Sequence, residues 1–333
     1  MTMQTRPLGK TGTDVTILGY GAMELRSSPR ARAITDEEAG QVLGAVLDGG
    51  INLIDTSIDY GRSEELIGKF LSHRRDEYFL ASKCGCPLEP PPGTPPPFPH
   101  DYSAANVRAG IEQSLRRLRT DRLDLVQVHM SPSPAQLEAG HTVQTLQELR
   151  DEGKIRFIGM SGTLPALPDQ IAMGVFEVFQ IPYSAVQREH EDLITAAAQA
   201  GAGTLIRGGV ARGAPAGDKG WQFGPFGIPQ GEAQRRWQSA GLDDLRGGMP
   251  AMEFMLRSRS ATRPCPPQSS GRPAPSTSRR TWQSPRKARC PLTSTRKQNA
   301  AWSPSRSSLR LAAHRECGPA AHLSAPGGPG ESH

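Results

Sequence analysis

Short apolar runs and amphipathic stretches alternate along the first 256 residues, and the alternation predicts strand and helix in turn. Val15 to Leu18 is an apolar run ending in Gly19-Tyr20-Gly21, and Arg6 to Val15, punctuated by Gly9 and Gly12, reads as a hairpin leading into it. Thr35 followed by Glu38 forms a capping box for a helix through Val46, stopped by Gly49-Gly50 before the strand Ile51 to Ile54. Ser63 is expected to cap Glu64 to Leu71, ahead of a strand from Tyr78 to Ser82. Ser103 is expected to cap a helix to Leu118, ahead of a strand from Leu123 to Val128. The order then repeats through helix 143–152, strand Ile155 to Met160, a weak helix near 166–172, strand Val175 to Ile181, helix 189–200 and strand Thr204 to Ile206. A further helix, Pro250 to Leu256, starts on schedule.

Strands alternating with helices of this length imply right-handed crossovers and a parallel sheet, open or closed. The expected fold is α/β, a (β/α)8 barrel with seven strands present and the eighth strand and last helix missing. Composition explains where the pattern stops. Residues 257–333 hold 11 of the 30 prolines and 14 Lys+Arg against 2 Asp+Glu, so they carry +12 of a chain whose formal charge is +6, leaving −6 for residues 1–256. Only Trp282, Leu292, Trp302, Leu309, Leu311 and Leu323 are large and apolar there, too few to offset the entropy of ordering the segment. Residues 1–256 are therefore expected to form the domain and 257–333 a basic disordered tail. No 18-residue apolar stretch and no apolar h-region after Met1 is found, so neither a spanning helix nor a secretory signal is expected, and the expected location is cytoplasmic. Five cysteines with Cys84 and Cys86 as the close pair, and no C-x-x-C, argue for reduced thiols and against a structural zinc site; no metal is expected.

In a parallel α/β barrel, groups at strand ends share one face. Asp55 ends the second strand, Tyr60 follows in its loop, Lys83 ends the third strand and His129 ends the fourth. Singly, each has a structural explanation: an ion pair, a satisfied core imidazole, a loop phenol with a wet hydroxyl. Together they make an acid site. A tyrosine titrating near ~10 is a poor proton donor at neutral pH, and the Lys83 ammonium is expected to lower that value while Asp55 holds Lys83 and His129 orients a carbonyl oxygen.

At these residues the chain strongly resembles the aldo-keto reductase family. The likeness rests on Leu8-Gly9-Lys10-Thr11-Gly12, Asp55-Thr-Ser-Ile-Asp-Tyr60-Gly61, Ser63-Glu-Glu-Leu-Ile-Gly68, Ser114-Leu-Arg-Arg-Leu118, Asp121-Arg-Leu-Asp-Leu-Val-Gln-Val-His129 and Glu152-Gly-Lys-Ile-Arg-Phe-Ile-Gly-Met-Ser161. It covers residues 5 to about 256. The resemblance implies Tyr60 as general acid with Asp55, Lys83 and His129 completing a tetrad. It implies NADPH, less often NADH, bound without a Gly-rich Rossmann loop. Ser161 and Gln180 match positions that hold the nicotinamide carboxamide, and Gly162 departs from the asparagine usual after that serine. Arg207 falls where many members stack a tyrosine on nicotinamide, and can equally be a solvated loop arginine; Gly208, Gly209 and Val210 would lie beside the pyrophosphate.

The leading expectation is an NADPH-dependent oxidoreductase reducing an aldehyde or ketone, with a small carbonyl compound as partner. The alternative is a nucleotide-binding barrel without appreciable catalysis, either a regulatory subunit or an inactive frameshifted product. Nucleic-acid binding by the tail lacks interleaved aromatics and is not favoured. Cys86 to Tyr102, with eight prolines, is expected to be a stiff loop at the mouth, and Ala214 to Asp243, with Trp221, Phe223 and Phe226, a lid or a satellite cluster. The tail itself reads as a frameshift product. Joining the third base of each codon to the first two of the next lets Pro266 to Pro273 encode Thr-Thr-Ile-Val-Gly-Thr-Ala, a plausible barrel strand, and Trp282-Gln283 then forces Ala.

Overall fold

The structure, a computed structural model, describes residues 3–27, 33–89, 98–209 and 231–260. Two short strands, β1 (Thr5–Pro7) and β2 (Asp14–Thr16), form an antiparallel hairpin with Thr5 opposite Thr16. Seven parallel strands follow: β3 (Tyr20–Gly21), β4 (Leu53–Asp55), β5 (Phe79–Cys84), β6 (Leu123–Val128), β7 (Ile155–Ser161), β8 (Val178–Pro182) and β9 (Gly203–Arg207). They pair in chain order into one curled wall, and among the described residues β3 and β9 do not pair with each other. The expected first strand is displaced. Val15 and Thr16 belong to the hairpin, and the first strand of the wall is the following Tyr20-Gly21.

Helices α1 (Asp36–Asp48), α2 (Ser63–Leu71), α3 (Ala104–Leu118), α4 (Pro134–Ala139), α5 (Thr142–Asp151), α6 (Leu167–Ala172) and α7 (Glu191–Gln199) fill the crossovers. The Thr35–Glu38 capping box is present at α1, and Ser103 Oγ accepts from Asn106 N at α3. Ser63 does not cap α2. Arg62 stands at the cap position, and Ser63 is buried inside the first turn, its Oγ within 3.0 Å of Ala22 O and 2.8 Å of Thr56 Oγ. Gly68 in α2 permits a close approach, because a Cβ there would lie 2.2 Å from Arg117 O at the end of α3. Beside it Glu64 is fully buried, with Ser82 Oγ donating at 2.8 Å and the Arg117 guanidinium 3.6 Å away; burial pushes its carboxyl above the usual range.

Side-chain parity sorts the wall into two cores. Leu53, Phe79, Ala81, Leu125, Val178 and Leu205 meet Leu8 and Val15 of the hairpin and Phe157 inside the curl. Ile54, Leu80, Val126, Val128, Ile158, Met160, Phe179 and Ile181, one register position away, pack outward with the helices. The hairpin is seated on the start of β9, where Lys10 N donates to Gly201 O at 3.0 Å. From β4 to β9 every inward file therefore begins apolar at the hairpin end and turns polar two or four residues later.

After β9 the described chain resumes in α8 (Glu232–Ser239), α9 (Leu242–Arg246) and α10 (Ala251–Ser260), so the last helix runs four residues past the expected boundary at 256. Trp237 is buried with Val186, Leu242, Phe254 and Met255 in a satellite cluster. Trp221, Phe223 and Phe226 lie outside the described residues, as does the 261–333 segment. No helix among the described residues is long and apolar enough to cross a membrane.

Candidate active site

From β4 to β9 the inward file of each strand ends in a residue that can do chemistry. Phe79, Ala81, Lys83 is one file; Leu125, Gln127, His129 is the next; Phe157, Gly159, Ser161, then Val178, Gln180, and Leu205, Arg207 follow. Backbone register sets the pairs, with Lys83 opposite Gln127 and Ser161 opposite Gln180. Asp55 closes β4 on the same rim.

Asp55 uses both carboxylate oxygens. Oδ2 accepts from Lys83 Nζ at 2.8 Å and Oδ1 from Gln127 Nε2 at 2.8 Å, while Lys83 Nζ also donates to Thr56 O at 2.8 Å. Lys83 is 1% exposed. Burial works against its ammonium, but Asp55, with Tyr60 and Asp59 behind it, outweighs burial and holds the amine charged well above its ordinary value. The nitrogen lies 5.1 Å from the centroid of the Tyr60 ring, which meets the His129 ring edge-on at 6.5 Å. Asp55, Tyr60, Lys83 and His129, separated by up to 74 positions in sequence, are thus brought together.

One expectation needs correcting. Lys83 does pull the Tyr60 phenol downward, yet burial of the hydroxyl, reinforced by Asp55 and Asp59, is stronger, and Tyr60 stands above its ordinary value. It is a protonated phenol at neutral pH. His129 is a neutral imidazole: burial, opposed by Asp59 and assisted by Lys83, His100 and Arg207, brings it down to about 3. Its Nδ1 lies 3.2 Å from Cys86 Sγ and 3.4 Å from His100 Nε2, and its backbone oxygen accepts from Tyr102 Oη at 2.7 Å. Nε2 makes no hydrogen bond among the described residues.

Along the rim Ser161 Oγ donates to Gln180 Oε1 at 3.2 Å, leaving the Gln180 amide nitrogen without a partner among the described residues. Arg207 ends β9 half-buried, with Gly208 and Gly209 after it; Val210 lies outside the described residues. Sequence reading missed Gln127, Asp59, Cys86 and His100. Gln127 carried a signal, since it shares parity with Leu125 and with His129, which ends the same strand.

Residues 17–225 match the Aldo/keto reductase family. The chain belongs to that family. It is 32% identical over 218 residues to the aldo-keto reductase YhdN of Bacillus subtilis, covering 63% of each chain. It is 28% identical over 203 residues to the NADH-specific methylglyoxal reductase of Escherichia coli, covering 57% of this chain and 62% of that one. The chain thus spans less than two thirds of the length of these curated relatives. Among solved structures, the holo form of aldo-keto reductase AKR11C1 from Bacillus halodurans superposes with a TM-score of 0.63 at 28% identity, over 78% of this chain and 83% of that one. The curled wall is the family's (β/α)8 type with seven strands described. Within it, the departure at Gly162 has a packing reason: a Cβ there would lie 2.7 Å from both Gln170 Oε1 and Leu167 Cδ1. Gln170 is fully buried and donates to Pro132 O at 2.7 Å and Ser131 Oγ at 3.1 Å, so it already fills the space of a longer side chain.

Proposed function

We propose that this aldo/keto reductase family chain is an NADPH-dependent oxidoreductase that reduces an aldehyde or ketone to an alcohol, with Tyr60 as general acid. The observation that carries the reading is the Asp55–Lys83 ion pair, buried at the rim and aimed at the Tyr60 ring. When bound, the nicotinamide supplies the hydride. Ser161 and Gln180 suit its carboxamide, because the Gln180 amide nitrogen is an uncommitted donor beside a hydroxyl that can accept. Arg207, Gly208, Gly209 and Val210 would follow the ring toward the pyrophosphate.

Tyr60 Oη–H gives its proton to the carbonyl oxygen, and Lys83, fixed by Asp55 and Thr56 O, stabilises the phenolate left behind. Gln127 occupies the second Asp55 oxygen and so keeps the carboxylate turned to Lys83. Neutral His129 offers Nε2 to the same carbonyl oxygen and fixes its direction. A half-buried phenol held above its ordinary value gains from Lys83 only as charge develops, so the ammonium acts chiefly in the transition state.

Tyr60→Phe tests the assignment. In a chain whose reading frame beyond about 257–265 is corrected, carbonyl reduction should fall by roughly 10²–10⁴-fold with cofactor affinity nearly unchanged, read from NADPH absorbance over a panel of aldehydes and ketones and from NADPH fluorescence. NADH belongs in the same panel, because one relative is an NADH-specific reductase. Near-normal turnover by Tyr60→Phe would overturn the role of Tyr60. Cofactor binding with no turnover by the natural chain would leave a nucleotide-binding barrel.

A further inference from the structure

Beside the rim, four ligand-bearing side chains converge from four segments of the chain. Asp59 comes from the β4–α2 loop, Cys86 and His100 from the two ends of the β5–α3 loop, and His129 from the end of β6. One ligand atom from each lies within 4.8 Å of all the others. The individual edges from His129 Nδ1 are 3.2 Å to Cys86 Sγ, 3.4 Å to His100 Nε2 and 3.9 Å to Asp59 Oδ1. A tetrahedron with metal bonds of about 2.0–2.3 Å has edges of about 3.3–3.6 Å, so these three edges need adjustments of about half an ångström at most.

The hydrogen bonds in the cluster do not account for its arrangement. His100 Nδ1 lies 2.8 Å from Phe98 O, and a carbonyl oxygen only accepts, so Nδ1 carries the proton and Nε2 points a bare lone pair into the cluster. That lone pair faces His129 Nδ1, which has one in-plane site for a proton or a partner, yet a thiol, an imidazole and a carboxylate all converge on it. A single proton satisfies one of these contacts. A cation at the centre satisfies all four.

The surroundings are those of an oriented ligand set. The Phe98 carbonyl fixes the His100 tautomer, and Ser57 Oγ donates to Asp59 Oδ1 at 2.5 Å and lies 3.5 Å from Cys86 Sγ. Cys86 is fully buried, whereas Asp59 and His100 are half-buried.

We propose that Asp59, Cys86, His100 and His129 form a tetrahedral binding site for a divalent transition-metal ion of the zinc type. The donor set of one thiolate, two imidazoles and one carboxylate selects Zn²⁺ or Co²⁺ over Mg²⁺ or Ca²⁺. Binding forms the metal–sulfur bond as the Cys86 thiol proton leaves to buffer, and the two anionic ligands neutralise the ion. With four protein ligands the site is closed, so the ion ties loops together and activates no water. It also holds His129 in the tautomer with the proton on Nε2, the nitrogen turned to the rim. The expectation of no metal rested on the absence of C-x-x-C spacing, and this site draws its ligands from distant segments that spacing cannot reveal.

The test uses the full chain, stripped with chelator and titrated with Co²⁺. One equivalent should produce the visible d–d bands of tetrahedral cobalt and a thiolate-to-cobalt charge-transfer band in the near ultraviolet, both erased by Zn²⁺. Cys86→Ser should abolish the charge-transfer band, and His100→Gln should weaken Co²⁺ binding by at least about tenfold; circular dichroism of each variant confirms that it is folded. Absence of tetrahedral bands in the natural chain overturns the proposal and leaves a cluster bridged by a proton alone. A charge-transfer band that survives Cys86→Ser belongs to Cys84, Cys265, Cys290 or Cys317 and overturns it equally. Because the readout is binding, it stands apart from whether the chain reduces carbonyls.

Discussion

Glu64 shows at the scale of one residue how a family motif serves the fold. Its carboxyl lies between α2 and the wall with a hydrogen bond from Ser82, and the Arg117 guanidinium stands 3.6 Å away, outside normal hydrogen-bonding range. Burial raises the folded value above the ordinary 4.5, so between 4.5 and that raised value the folded state holds a proton the unfolded state has released. Stability from this group is full below 4.5 and is lost as pH rises through the raised value. Glu64→Gln should therefore remove the loss, flattening the decline in urea midpoint from pH 4.5 to neutrality; an unchanged slope would place the titrating group elsewhere. The contrast with the rim explains what was legible. Asp55, Lys83 and His129 stand where strands end, and that placement follows from strand prediction alone. Asp59, Cys86 and His100 gain their role from contacts between loops, and nothing in local pattern fixes where two loops meet. Tyr60 stands beside Lys83 and His129 but above its ordinary value, because the Lys83 charge can be read from sequence while the desolvation of the phenol cannot.

Elements were legible to the extent that their signals are local. The capping box at Thr35–Glu38 and the Ser103 cap are local hydrogen bonds between residues three apart, and both are present. Ser63 looked like a cap for the same reason and is instead committed to Thr56 and Ala22, a tertiary demand that overrides the local preference. The first strand was shifted because Val15 has the apolar character of a strand of the wall but packs as the lid beneath it. The glycine in α2 makes a prediction at this scale. Gly68→Ala puts a methyl group 2.2 Å from Arg117 O, a backbone atom that cannot swing aside. Prising α2 off α3 should cost about 1–3 kcal/mol despite the better helix propensity of alanine, measured by chemical denaturation. A neutral or stabilising result would mean that the two helices separate freely. By comparison Thr35→Ala, which removes the cap of α1, should cost only about 1 kcal/mol.

For the whole molecule, the repeat pattern can be followed through seven strands of the wall among the described residues. Seven strands are described, β3 and β9 are unpaired with each other, and the composition turns basic and Pro-rich just beyond α10. We propose that residues beyond about 257–265 are read out of frame, and that the chain as written binds NADPH weakly and associates through its open edges. A one-base correction near those codons should restore a monodisperse protein and raise NADPH affinity, read by size-exclusion chromatography and fluorescence titration; tight binding by the chain as written, with an intact frame on resequencing, would refute it. The wall's pairing in chain order bears on what such a product retains. Each strand from β4 to β9 pairs with the strand that precedes it in the chain, so Asp55, Lys83, Gln127, His129, Ser161, Gln180 and Arg207 follow one another around the rim in sequence order. All of the side chains proposed for the reaction, Asp55, Tyr60, Lys83, His129, Ser161, Gln180 and Arg207, precede position 257, so a reading-frame error beyond that point leaves their identities unchanged.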